Sequence, residues 1–279
     1  MRRWSMALPP DVVKQLLSLP DKEAFRTLVK KFVAPDFDRA LDEASTILCV
    51  APHPDDCEVG AGGTLAALAS KGKKVFIAVA TYGSLGTTDP RVSPADLAST
   101  RRREQKKAAE ILGVKKVLWL GFRDGYLEYS RELRDKLVTI IRTLEPEVVM
   151  APDPWMSYEA HPDHRYTGLA AAEATLFAGF PHYRAEDRES GLSPWAPRYI
   201  AFYYTSRPNY FYDITKFMDT KLRALKAHKS QFKEQLELIE MLIRFVSAIY
   251  GKRICVEYAE AFKLLPRMLI HAIPFAEVF

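Results

Sequence analysis

Hydrophobic and polar positions along the chain switch between two periods. From residue 10 to 44 the apolar positions fall at helical spacing, with Val12, Val13, Leu16 and Leu17 followed by Phe25, Leu28, Val29 and Phe32, which predicts a helical preface. The run TILCVA over 46–51 is continuous, apolar and of strand length. It stops at Pro52, as a central parallel strand buried on both faces does. The segment HPDDCEVGAGG follows, its glycines permitting close turns before a helix over about 62–70. Strand patterns at 75–80, 117–120 and 148–151 then alternate with helical patterns at 94–112 and 130–144. This alternation predicts an α/β fold, Rossmann-like and doubly wound, with a mostly parallel sheet, helices on both faces and right-handed crossovers. Functional groups in such a sheet gather at the carboxyl ends of the strands.

Beyond residue 151 the alternation weakens. A loop carries HPDH, 165–177 is helical in pattern, and PHYRAEDRESGLSPWAP over 181–197 is turn-rich and irregular. Strands are expected at 198–205 and 210–214 and helices at 216–228 and 234–250. The apolar tail LLPRMLIHAIPFAEVF suggests docking, on the chain's own core or on another subunit. The expected organisation is one domain over 1–279: the preface at 1–44, a core with both chemical motifs at 45–180, and a C-terminal extension at 181–279. No internal repeat or low-complexity tract interrupts it.

Composition narrows the function. The 279 residues are 48% hydrophobic and 27% charged, ordinary for a folded soluble protein. The net charge of +5 is spread out, and its densest runs, 71–74 and 101–103 with Lys106 and Lys107, do not interleave with aromatics as a nucleic-acid stripe would. Cys49, Cys57 and Cys255 are odd in number and lack C-x-x-C spacing, so neither a disulfide framework nor a cysteine zinc site is expected, and a reducing cytoplasm fits. The amino end MRRWSMALPP has no apolar signal core, and no stretch approaches the ~20 apolar residues of a membrane span.

Two tetrapeptides concentrate the chemistry: His53-Pro54-Asp55-Asp56 after the first strand and His161-Pro162-Asp163-His164 after a later one. They hold three of the six histidines, and both follow strands, so both project into one crevice. Two imidazoles and a carboxylate, here His53, His164 and Asp56, are a catalytic zinc set with a position open for water. Paired aspartates repel, a cost that makes sense when one binds a cation and the other works as a base. Asp56 and Asp55 divide these roles. Asp55 would take a proton from water and return it to a leaving amine. His161 remains to stabilise an oxyanion, with Asp163 holding its ring; the alternative is a loop cap at Asp163 and a surface histidine at His161.

At these residues the sequence resembles the LmbE-like, or PIG-L, family of zinc-dependent N-acetylglucosamine deacetylases, whose signatures appear here as APHPDD and HPDH. The longer stretches from GTTDPRVSPADL to YSRELR, APDPWMSYEAHPDHRYTG and LIHAIPF resemble the archaeal diacetylchitobiose-deacetylase branch. The resemblance implies one Zn²⁺ per subunit on His53, Asp56 and His164, Asp55 as general base and acid, and His161 on the oxyanion side. It also implies a saccharide substrate, a role in chitin breakdown and a homohexamer. Arg101 and Asp124 match positions that bind the sugar or order the pocket; alone they read as a helix charge and a turn aspartate. Trp155 and Tyr158 stack on a sugar face or pack within the loop. Cys57 stands where the wider family has an acidic residue, a departure the archaeal branch shares. In a hexamer the tail would bring His271 to a neighbouring pocket to supplement His161; the alternative is a packed core histidine. The rival functions are deacetylation of another glucosamine conjugate and a non-catalytic sugar- or nucleotide-binding protein.

Overall fold

The preface folds as three short helices, α1 (Pro10–Leu17), α2 (Asp21–Leu28) and α3 (Ala40–Glu43). The computed structural model describes residues 8–233 and 235–279. Next come β1 (Thr46–Ala51), α4 (Asp56–Ser70), β2 (Lys74–Thr81), α5 (Pro94–Leu112), β3 (Lys116–Phe122), α6 (Arg131–Leu144), β4 (Val148–Pro152) and α7 (Pro162–Phe177). The remainder comprises α8 (Ala185–Glu189), β5 (Tyr199–Tyr203), β6 (Tyr210–Asp213), α9 (Met218–Leu225), α10 (Lys229–Phe232), α11 (Leu236–Gly251) and β7 (Ala259–Pro266). The expected start of the last helix, at residue 234, lies outside the described residues, as do residues 1–7 of the preface.

Strand order in the sheet is β3-β2-β1-β4-β5-β7-β6. The first five run parallel, while β7 pairs antiparallel with β5 and β6 antiparallel with β7. Every residue of β1, β4 and β5 is buried, which explains their unbroken apolar patterns. From β1 the chain winds outward through β2 and β3, then crosses back to β4 on the other side of β1. The carboxyl ends of β1 and β4 therefore flank the switch point, where sheets of this kind place their ligands. Helices surround this mostly parallel sheet, with α4, α5 and α9 packed together and α6 against α7. Among the described residues no helix is long and apolar enough to cross a membrane.

Three local expectations are corrected. The helix after β1 begins at Asp56 rather than near residue 62, so the glycines lie inside it. Close packing, not turning, requires them: a Cβ at Gly60 would sit 2.4 Å from the ring of Tyr203, and one at Gly63 would sit 2.8 Å from Ile214. Helix α7 likewise starts at Pro162, a residue suited to a first helical turn because it lacks an N–H. Finally, β7 was not anticipated, because Glu260 and Lys263 interrupt its apolar pattern although the whole strand is buried.

Glu260 has a structural explanation. Its carboxylate accepts the backbone N–H groups of Gly63 (3.0 Å) and Thr64 (2.7 Å) in the middle of α4. It also pairs with Lys221 of α9, whose Nζ donates to the Val59 carbonyl at 2.7 Å; both side chains are 3% exposed. A buried pair of this kind is costly to form and costlier to break. Glu260→Ala leaves Lys221 buried without its counter-charge and is expected to destabilise the fold by about 3–5 kcal/mol, measured by denaturant unfolding. An unchanged midpoint would refute the assignment.

Candidate active site

His53 follows β1 after Pro52 and is buried. Its ring works in two directions. Nδ1 lies 3.3 Å from Asp56 Oδ2, while Nε2 lies 3.0 Å from Asp163 Oδ2 and 3.1 Å from Asp124 Oδ1. Asp56, in the first turn of α4, also accepts the His53 backbone N–H through Oδ2 at 2.9 Å. On its other side Asp56 Oδ1 approaches His164 Nε2 at 3.5 Å, which brings the two clusters together.

The atoms of His53, Asp56 and His164 lie within 4.8 Å of one another, as do those of a second set, His53, His161 and Asp163. Hydrogen bonding separates the two sets. Asp163 is engaged by the N–H groups of Gly125 (2.8 Å) and Leu127 (3.1 Å) as well as by His53. It orients the His53 ring, with both of its oxygens already accepting hydrogen bonds. His161 caps α7, accepting the Asp163 N–H on Nδ1 at 3.2 Å, which leaves the proton of the neutral ring on Nε2. The expected support of His161 by the Asp163 carboxylate is thus corrected: the carboxylate serves His53, and only the backbone amide serves His161.

The first set fits a divalent cation. Burial alone lowers the His53 pKa, but hydrogen bonds to Asp124, Asp163 and Asp56 overcome it and raise the value to about 11. Burial raises that of Asp56, and the neighbouring His164 and His53 outweigh it, drawing the carboxyl down to about 2. Such concentrated negative charge around an imidazole is what a bound cation neutralises. Both rings also have carboxylates beside the nitrogen facing away from Asp56, and where one accepts a hydrogen bond it fixes tautomer and orientation, as in metal sites. For His53 these are Asp163 and Asp124. For His164 it is Glu159, whose Oε2 stands 3.0 Å from Nδ1 but off the line of a ring N–H bond.

Asp55 points elsewhere. Its backbone is left-handed, φ 107° and ψ −26°, a conformation that costs a residue with a Cβ ~1–3 kcal/mol and turns it away from its neighbour. Its carboxylate Oδ2 meets the Arg101 guanidinium at 3.0 Å, and the side chain is 14% exposed. Burial raises its pKa, Arg101 opposes that, and Asp56 raises it further, to about 7. Arg101 is itself buried and donates in addition to the carbonyls of Pro54 (2.6 Å) and Gly83 (3.0 Å). Within the chain Arg101 holds Asp55, and Asp124 holds His53 and accepts the Leu85 N–H at 2.6 Å.

Trp155 and Tyr158 occupy the loop between β4 and α7. Tyr158 is 97% exposed, which excludes loop packing, whereas the Trp155 ring packs perpendicular to that of Phe202. His271 is exposed after the turn Arg267–Ile270 and joins neither set of ligand atoms within this chain; its exposure excludes the core reading. Two contacts escaped the sequence. Tyr204 stacks on His164, 5.9 Å between centroids and 10° between planes, and its hydroxyl reaches Asp56 Oδ1 at 3.3 Å. Glu159 precedes the second cluster by two residues, and only that proximity hinted at it.

Comparison with known proteins extends this picture. Residues 48–175 match the PIG-L family, described as GlcNAc-PI de-N-acetylase. A diacetylchitobiose deacetylase of Thermococcus kodakarensis is 45% identical over 259 residues, covering 92% of this chain and 96% of its own. The solved structure of an N,N'-diacetylchitobiose deacetylase from Pyrococcus horikoshii, in complex with its inhibitor MPG, is 41% identical. It superposes with a TM-score of 0.88 over 94% of this chain and 98% of that one. A probable N-acetyl-alpha-D-glucosaminyl L-malate deacetylase of Bacillus anthracis is 30% identical and covers 67% of this chain and 81% of its own. With His53, Asp56 and His164 all inside the matched segment, and similarity spanning more than nine-tenths of the sequence, the chain belongs to the PIG-L, or LmbE-like, family of deacetylases.

Proposed function

We propose that this chain is a zinc-dependent hydrolase that removes the N-acetyl group from an N-acetylglucosamine unit of diacetylchitobiose, yielding acetate and a free amine. The observation that carries the reaction class is the convergence of His53, Asp56 and His164 beside a separately held Asp55. Substrate choice is supported by extent: the diacetylchitobiose relative covers 92% of this chain, against 67% for the malate-conjugate relative.

His53, Asp56 and His164 would hold Zn²⁺, which when bound would supply a Lewis acid for the acetamide carbonyl and lower the pKa of water to roughly 7. Asp55 accepts the proton of the attacking water, its Oδ2 being held by Arg101 so that Oδ1 is left for the transfer. As the C–N bond breaks, Asp55 returns that proton to the amine nitrogen. His161, with its proton on Nε2, donates to the oxygen that becomes negative as the tetrahedral carbon forms. Tyr158 and Trp155 offer exposed rings to the sugar face. The exposed apolar side chains Leu238, Met241, Leu242, Phe245 and Ile249 on α11, and the exposed His271, support a homo-oligomer in which His271 reaches a neighbouring pocket.

Incubation with diacetylchitobiose is expected to release acetate, chelation to stop it and added Zn²⁺ to restore it. Faster release from a glucosamine–malate or inositol conjugate would transfer the assignment to that substrate, and release from none would refute it. Asp55→Asn is expected to lower kcat by about 10²–10⁴ with metal stoichiometry unchanged by elemental analysis; near-normal turnover would remove Asp55 as the base. Asp163→Asn weakens the hold on His53 and is expected to lower metal affinity about 10–100-fold in a chelator competition, and equal affinity would show that the His53–Asp163 bond does not tune the site.

A further inference from the structure

The left-handed backbone at Asp55 has to be held from outside, since the residue has a Cβ and is not in its preferred region. Helix α5 does this with two side chains one turn apart. Arg101 takes the Asp55 carboxylate and the Pro54 carbonyl; Gln105 accepts the Asp55 backbone N–H on Oε1 at 3.1 Å. Gln105 is wholly buried and touches none of the three ligand side chains through a hydrogen bond.

A glutamine amide presents an acceptor on one side and donors on the other, so its usefulness here depends on which way it faces. Glu58 settles the direction. Its Oε1 accepts from Gln105 Nε2 at 2.6 Å, which leaves the amide oxygen for the Asp55 N–H. Glu58 is wholly buried in the first turns of α4, and its other oxygen has no hydrogen-bond partner, the nearest imidazole nitrogen, of His228, standing 3.9 Å away. Burying a carboxyl with a single hydrogen-bonded side-chain partner is unfavourable. What the arrangement secures is the orientation of one amide.

We propose that Gln105, aligned by Glu58, is a positioning residue that fixes the strained backbone of Asp55 and so keeps the two adjacent aspartates facing different partners. The proposal rests on the reading of Asp55 as the base for its kinetic consequence, but not for its structural one. Gln105→Met, similar in length and without an acceptor, is expected to lower kcat about 10–100-fold with KM within about twofold and metal content unchanged. The exchanged pair Glu58→Gln with Gln105→Glu lets the new carboxylate accept both from Asp55 and from the new amide, and is expected to recover kcat to within about fivefold. In a crystal structure of the Gln105→Met protein, residue 55 is expected to leave its positive φ and its carboxylate to shift from Arg101. Unchanged kcat, a loss that the exchanged pair does not recover, or an undisturbed Asp55 in that crystal structure would each overturn the proposal. Normal turnover of Asp55→Asn would instead overturn only the base assignment, leaving the crystal structure to judge the positioning role.

Discussion

The hydrogen bond between His53 Nε2 and the Asp163 carboxylate joins the loop after β1 to the first turn of α7, 110 residues apart, and the geometry of the site depends on it. With Nε2 so engaged, the ring directs Nδ1 at Asp56, and Asp56 in turn faces His164. The same carboxylate is anchored by two backbone amides of the loop after β3, so three strand ends are held in one register. A short polar contact of this kind is strong only where water is excluded, and Asp163 is wholly buried. Hydrophobic burial of β1 and β4 brings the two segments near each other; the imidazole–carboxylate bond sets the distance at which they stop.

Much of this was legible in the amino acids. The run TILCVA announced a doubly buried strand because every one of its side chains is inside, and both tetrapeptides stood out because their members are contiguous. What stayed hidden depends on separation. Tyr204 reaches Asp56 across 148 residues, and nothing near Tyr204 distinguishes it from a core tyrosine. Asp163 misled through proximity: its neighbour in sequence is His161, but a first-turn helical carboxylate points back over the turn and meets His53 instead. Strand β7 was hidden for a different reason, since its charged residues are buried as partners rather than turned to solvent. Periodicity registers polarity and is blind to pairing.

Charge placement explains how two adjacent carboxyls come to behave differently. Asp56 sits between imidazoles on the first turn of a helix, where partners and the helix N-terminus favour the ionised form. Asp55, one residue earlier, is enclosed beside that negative charge with one guanidinium for relief. One peptide unit in an unusual conformation separates the two environments, in which burial and neighbouring charge set the two proton affinities apart.

The position of β7 governs the order in which the molecule is completed. The strand lies between β5 and β6 in space but follows both in the chain, and its Glu260 supplies acceptors to amides 197 and 196 residues earlier. During synthesis, β1 to β5 emerge from the ribosome with their alternating helices and can pair as they appear. Helix α4, with Asp56 at its start, waits for nearly the whole chain before its middle is secured. Truncation or stalling before residue 260 would therefore leave a sheet with most of its strands and a catalytic helix without its anchor, a species for quality control rather than a slower enzyme.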